Sequence, residues 1–332
     1  MDPLTDVRQI SGIAYGFIAS KTLFAALNLD LFGRLSARAR TLAELSDEMG
    51  IPEHRLLTLL TACVSLGLIS QEQGRYANAP ASEAYLVRSA PAYFGDYFRF
   101  QIDRQIYPLL LNLDEALQGR AKQSRYAQMF NPAEAEYFTR AQHAGSLGPA
   151  AVLQKAVDLP GARRMLDVAG GSGAFSITLC RRHPQLRATI LDFPAVIEVA
   201  KRFVQEAGFE GRVDYIAGNA VTQAWPGSQD VVLMSYLLSA VDGSAMRRLF
   251  IKAFQALEPG GLLLIHDFMV DDDRSGPRSA ALWFMTFLFD PGAVSFTPSE
   301  LVALAQGAGF VGASVRELIP GITRLLVARK PS

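Results

Sequence analysis

Histidine, cysteine and tryptophan are scarce in this chain of 332 residues, which holds four, two and two of them. The two thiols, Cys63 and Cys180, fall far apart in helical patterns and read as buried cysteines of a reducing compartment, not as a disulfide or metal pair. With so few imidazoles and no cluster of them, no metal site is expected, and the three aspartates at 271–273 read as a solvated loop. Charge of one sign is missing too. The 32 Lys+Arg are matched by 32 Asp+Glu, which removes the cationic excess that draws proteins to nucleic acid or anionic membranes. No apolar run is read as long enough to span a bilayer, and the N-terminus lacks the basic-then-apolar layout of a signal peptide. A cytoplasmic protein with no nucleic-acid or membrane partner is expected. Internal repeats, low-complexity tracts and a GxxxxGKS/T phosphate loop are absent as well.

What is present is concentrated at residues 165–175, MLDVAGGSGAF. An apolar strand runs into Gly170-Gly171-Ser172-Gly173 and then into a helical pattern. Glycines at such a turn let backbone approach a ligand closely, and the helix that follows offers unpaired N–H groups. A second apolar strand at 188–191 ends at Asp192, where a carboxylate is placed to accept hydrogen bonds from a ribose. One acid inside the first strand (Asp167) and another ending the second resemble the S-adenosylmethionine (SAM) site of class I methyltransferases.

Along the chain, residues 10–36 carry a helical pattern. Thr41 and Glu44 form a capping box that opens a short helix, and 53–66 make another. Two short strands then flank a turn at 72–74. This is a winged-helix layout, but its third helix is almost wholly apolar after Arg55, whereas a recognition helix presents polar and cationic side chains to the groove. The reading is therefore a dimerisation domain over 1–90, and hence a homodimer. Residues 91–160 read as a helical connector contributing to an acceptor pocket. They are rich in aromatics, among them Tyr97, Tyr107, Tyr126, Phe130 and Tyr137. From 161 to 332 strands alternate with helices, with strands expected at 164–169, 188–192, 213–217, 230–235, 262–267, 312–318 and 323–329. The fold class expected is α/β: a class I methyltransferase (Rossmann-like) domain with an N-terminal all-helical winged-helix dimerisation domain.

With MLDVAGGSGAF, the ILDFP strand end, the GNA turn at 218–220 and ALEPGGLLLIHDF at 256–268, the chain resembles the small-molecule methyltransferases of the plant caffeate/acetylserotonin O-methyltransferase type and their bacterial relatives. The resemblance covers nearly the whole chain. It implies that SAM is the cofactor, with Asp167, Gly170, Gly171 and Gly173 lining its methionine and ribose and Asp192 taking the ribose hydroxyls. Phe193, Asn219 and Ala220 would lie at the adenine and Ser235 near the methionine. Asn219 stands where such enzymes usually carry Asp.

A second departure concerns chemistry. After the fourth strand the O-methylating relatives carry a histidine that takes the proton from a phenol, and here Ser239 stands in its place. A phenol has a pKa of about 10 and needs a positioned base at neutral pH, which a serine hydroxyl does not supply. The imidazoles left as catalytic candidates are His143 in the connector and His266 ending the fifth strand, while His54 and His183 read as surface positions. A thioether acceptor has no proton to lose. The connector segments YFRFQIDRQIY (97–107) and AQHAGSLG (141–148) resemble the bacterial methylthiohydroxybutyrate S-methyltransferases of dimethylsulfoniopropionate synthesis. That likeness implies S-methylation of 4-methylthio-2-hydroxybutyrate, with Tyr97, Arg99, Arg104, Tyr137, His143 and Ser239 around the acceptor and an arginine for its carboxylate. O- or C-methylation of a natural product, and a catalytically silent SAM-binding protein, are the alternatives.

Overall fold

The computed structural model describes residues 3–121, 131–290, 292 and 295–332, so Tyr126 and Phe130 lie outside the described residues. The chain divides into two compact units, Met1–Arg104 and Gln105–Ser332, and residues 91–160 are shared between them.

In the first unit, α1 (Val7–Asn28) opens on an Asp6/Gln9 capping box. The single helical pattern expected over 10–36 breaks in two because Asp30 adopts a left-handed conformation (φ 56°), after which α2 (Leu31–Ser36) begins. A two-residue strand, β1 (Arg40–Thr41), precedes α3 (Leu42–Met49), whose Thr41/Glu44 capping box forms as its residues dictate. Next come α4 (Glu53–Ser65), β2 (Ile69–Glu72), β3 (Arg75–Asn78) and α5 (Pro80–Leu86). Gln73 and Gly74, both at positive φ, make the tight turn between β2 and β3. The two strands expected around the turn form, and because β1 pairs with β3 they belong to a three-stranded antiparallel sheet beside the helices. Leu27, Leu31, Phe32, Leu45, Leu56, Leu60 and Cys63 form its core. Residues Tyr97–Ile106 wind as a π-helix, an uncommon form often found at functional positions.

The second unit continues with α6 (Tyr107–Leu110), α7 (Leu113–Leu117) and α8 (Pro132–Ala156). Alternating elements follow: β4 (Arg164–Val168), α9 (Ala174–Arg182), β5 (Arg187–Asp192), α10 (Pro194–Glu206), β6 (Val213–Ala217), β7 (Gln229–Ser235), α11 (Gly243–Ala256) and β8 (Leu257–Asp267). The unit ends with α12 (Arg278–Phe284), α13 (Pro298–Gly307), β9 (Val311–Ile319) and β10 (Thr323–Arg329). Seven strands form one sheet in the order β6-β5-β4-β7-β8-β10-β9, all running the same way except β10, which is antiparallel to both its neighbours. Successive residues face opposite layers. Leu166 and Val168 pack with α11 and α13, while Met165 packs with α8, α9 and α10. The order reverses between β4 and β7, and in open α/β sheets ligands bind at the carboxyl ends of the strands at such a switch point.

One surface stands out in the first unit. Val7, Ile10, Ile13, Phe17 and Ile18 of α1 are each more than half exposed. Among the described residues, α1 is the one helix long and apolar enough to cross a membrane by length and composition, with a mean hydropathy of 1.4. This corrects the expectation that no run is that long. Gly12, Ala14, Gly16 and Ala19 keep the stretch apolar without bulky side chains. A contiguous apolar face marks an interaction surface, and in a dimer it is covered by a second copy. Light scattering at micromolar concentration is expected to give twice the chain mass, and Ile13→Glu with Phe17→Glu to give a monomer. A monomeric wild type would refute this.

Candidate functional site

The ends of β4 and β7 flank the switch point, and both carry unusual backbone. Ala169 (φ 56°) and Tyr236 (φ 57°) sit in the left-handed region, where non-glycine residues are held only by surrounding structure. The Ala169 N–H donates to the Leu191 carbonyl (2.7 Å) and the Tyr236 N–H to the His266 carbonyl (2.8 Å), so each is fixed by the neighbouring strand.

Asp167 is the fourth residue of β4 and faces α9, where the Ser176 hydroxyl donates to its Oδ2 at 2.7 Å. Its Oδ1 is buried with no hydrogen-bond partner. The carboxylate explains Gly170, because a Cβ there would lie 2.7 Å from Asp167 Cγ. Gly173 (φ 78°) is constrained in two ways, since a Cβ would also meet Ile190 Cδ1 at 2.7 Å. Asp192 closes β5 and accepts the Gly171 N–H on Oδ2 (2.8 Å) and the Phe193 N–H on Oδ1 (2.7 Å). Burial, above all, pushes both carboxyls up to about 6, and the charge of Asp192 adds to the rise at Asp167. Neither acid makes an ion pair among the described residues. Two buried carboxylates at one sheet edge, one with an unpartnered oxygen, suit a ligand that brings positive charge and hydroxyl donors.

Gly218 donates its N–H to the Asp192 carbonyl at 2.8 Å, which brings the 218–220 turn to the same edge. Asn219 is exposed and Ala220 buried, and Asn219 Oδ1 accepts the Val221 N–H at 2.8 Å. The Ser235 hydroxyl lies 2.9 Å from His266 Nδ1. His266 Nε2 lies 2.9 Å from the Thr323 hydroxyl, and burial pushes the imidazole down to about 3. With no exposed surface and both ring nitrogens engaged inside the sheet, His266 is a structural residue. The catalytic role expected of it is corrected.

His143 on α8 reaches the glycine loop. Its Nδ1 is 2.9 Å from the Ser172 hydroxyl, and its ring stacks on Phe203 at 3.9 Å beside an open cleft of about 250 Å³ between α8, α9 and α10. Burial pushes its pKa down to about 4, so at neutral pH it is an uncharged and weak base. Ser239 is buried, and its backbone N–H donates to Asp267 Oδ2 (3.1 Å), a carboxyl raised to about 6 by burial.

The remaining expected acceptor residues fall in different units. Tyr137 is half-buried on α8 of the second unit. In the first, Tyr97 packs against Phe94 and Phe98, and Arg104 is exposed on the π-helix. Arg99 donates to Asn28 Oδ1 (3.1 Å) through Nε and to Asp96 Oδ1 (3.4 Å) through Nη1. Sequence reasoning missed Ser172, Ser176, Tyr236 and Asp267. Only Ser172, inside the glycine loop, carried a local signal.

Residues 12–88 match the O-methyltransferase dimerisation domain and residues 123–311 the O-methyltransferase domain. The chain is 35% identical to 3-hydroxy-5-methyl-1-naphthoate 3-O-methyltransferase of Streptomyces sahachiroi, over 90% of its own length and 88% of that protein's. It is 32% identical to tetracenomycin polyketide synthesis 8-O-methyl transferase TcmO of Streptomyces glaucescens, with 100% of both chains covered. Human N-acetylserotonin methyltransferase, solved in complex with SAM, shares the fold at a TM-score of 0.89 and 24% identity over 100% of both chains. The chain belongs to the O-methyltransferase family and is a SAM-dependent methyltransferase.

The residues present fit SAM. The unpartnered Asp167 oxygen and the Asp192 carboxylate suit its cationic and hydroxyl-bearing parts, and Gly170, Gly171 and Gly173 leave a cradle without side chains. Asp192→Ala is expected to weaken SAM binding by about 1–3 kcal/mol through lost charge-assisted hydrogen bonds. Unchanged calorimetric affinity in a folded variant would remove Asp192 from the site. A second expectation concerns acid. His266, with a model-peptide value of 6.5 and a folded value of about 3, contributes stability that is present above pH 6.5 and lost as the pH falls toward 3. The three raised aspartates act in the opposite sense: their contribution is present below 3.8 and lost as the pH rises through about 6. Comparing His266→Asn with wild type isolates the histidine. Between pH 6 and 4 the variant's urea stability is expected to fall less steeply, by up to about 1.4 kcal/mol per pH unit. Parallel slopes would refute it.

Proposed function

We propose that this SAM-dependent methyltransferase methylates an acceptor atom that has no proton to surrender, the thioether sulfur of a small 2-hydroxy acid such as 4-methylthio-2-hydroxybutyrate. The observation that supports the reading is that, among the described residues, both histidine candidates are held by other groups and the usual histidine position carries a serine. Ser239 stands where the resemblance places a histidine, His266 has both nitrogens engaged, and His143 is held near pKa 4 against Ser172.

SAM supplies a methyl carbon activated by the sulfonium to which it is bonded. Transfer of that methyl to an acceptor sulfur would need no proton removed: the sulfur lone pair would form the new C–S bond as the donor's breaks, and the positive charge would pass to the product. The protein's work is then orientation and exclusion of water. Gly170–Gly173 and Asp192 would hold the donor, and Asp167 would supply negative charge at the same edge.

Methylation of a hydroxyl is the second reading, favoured by the two relatives above 30% identity, both named as O-methyltransferases. Product mass decides between them when enzyme and SAM are incubated with thioether acids, naphthols and amines. Methylation of thioethers alone is expected. Ser239→Ala should then change the rate by well under the ~10²–10⁴-fold that loss of an acid–base catalyst costs. Turnover of naphthols, abolished by His143→Ala with SAM affinity intact, would overturn the proposal and make His143 the base.

A further inference from the structure

Lys252 of α11 has no part in the chemistry above, yet it is spent in an unusual way. Half-buried, it makes no ion pair among the described residues. Its ammonium donates instead to three backbone carbonyls of one turn: Ala220 at 2.9 Å, Val221 at 3.1 Å and Gln223 at 2.5 Å. An ammonium has three donors, and all are committed here. The same cation sits 5.0 Å from the ring centroid of Trp225, whose indole N–H donates to the Ala220 carbonyl at 2.9 Å.

The turn so gathered is not an arbitrary surface loop. It leaves β6 at the carboxyl edge of the sheet, and Gly218 ties it to the last residue of β5 through the Asp192 carbonyl. Gly218 packs closely on Gln223, since a Cβ there would lie 2.7 Å from its Oε1 and 2.9 Å from its Cγ. The Asn219 carbonyl accepts the N–H groups of Thr222 (3.1 Å) and Gln223 (2.7 Å), closing the turn on itself. Three carbonyls are thereby directed to one point, and without a cation there they repel one another and the turn opens. Where the turn settles decides where Asn219 and Ala220 stand beside Asp192.

We propose that Lys252 is a positioning residue for the adenine end of SAM: by gathering the 220–223 carbonyls it holds Asn219 and Ala220 at the cofactor edge. This rests on the reading of those two residues as adenine-side contacts. The test is equilibrium binding of S-adenosylhomocysteine, and of 5′-deoxy-5′-methylthioadenosine, which lacks the amino-acid part, to wild type, Lys252→Met and Lys252→Arg. Lys252→Met is expected to weaken both ligands by the same factor, about tenfold or more, as fits loss of a set of charge-assisted bonds. Lys252→Arg, which keeps the cation, should recover most of that loss. The rate at saturating SAM should change by less than about twofold, since the defect is in uniform binding. Trp225→Phe, which removes the indole donor and shrinks the ring beneath the ammonium, should weaken methylthioadenosine measurably, and Lys252→Gln, which removes the cation but keeps a donor, should weaken both ligands and keeps the test decisive if Lys252→Met does not fold. Unchanged affinities, weakening of S-adenosylhomocysteine alone, or a fall in rate at unchanged KM would each overturn the role of Lys252. If instead wild type binds both ligands and Asn219→Ala changes neither, the adenine-side reading of the turn is what fails.

Discussion

Two carboxylates buried at one edge of a parallel sheet govern the architecture of this protein. Asp167 occupies the space a side chain at 170 would need, and Asp192 takes the Gly171 N–H, so the glycine loop takes the shape the acids leave for it. The arrangement is costly. A carboxyl raised from 3.8 to about 6 disfavours its charged form by about 3 kcal/mol in the folded chain. No cation of the protein offsets that cost among the described residues. Strained backbone at Ala169 and Tyr236 flanks the same point, each held by a hydrogen bond to the neighbouring strand. Buried negative charge and strain at a topological switch point are features a fold retains when a ligand relieves them, and a sulfonium with an ammonium and ribose hydroxyls has the complementary chemistry.

How much of this was legible in the sequence follows from the range of each interaction. Strand positions in the second unit are set by local apolar runs between turn residues, and they fall within a residue or two of expectation with one exception. The exception, β8, begins at Leu257 instead of 262 because Pro259-Gly260-Gly261 reads as a turn while the structure absorbs it as an irregularity in the pairing of β7 with β8. The capping box, the tight turn at 73–74 and the glycine loop were readable for the same reason, since their partners lie within a few residues. Partners far apart in sequence were not readable. His266 finds Ser235 and Thr323, and Arg99 finds Asn28, 71 positions away. Neither the residue type nor the periodicity of Lys252 foretells that it closes on a turn about 30 residues earlier. Positive φ at Tyr236 left no trace in the sequence either, because tyrosine carries none of the signal that glycine or asparagine does.

Composition and site chemistry meet in the imidazoles. With only four histidines in the chain, and two of them in positions that read as surface, the capacity for proton transfer near neutral pH rests on His143 and His266. Burial takes both well below neutrality, and each is used as a neutral hydrogen-bonding strut, one bracing the glycine loop through Ser172 and the other joining β7, β8 and β10. The buried aspartates do not replace them. Asp192 and Asp267 are engaged by backbone N–H groups and Asp167 by Ser176, and each already accepts the bonds that fix a loop. On the proposed reading, weakly basic histidines and carboxylates assigned to loop shape and cofactor charge suit displacement at carbon without proton removal. The demand on the acceptor would then shift from acidity to nucleophilicity, which sulfur with its polarisable lone pair meets where a neutral phenol does not.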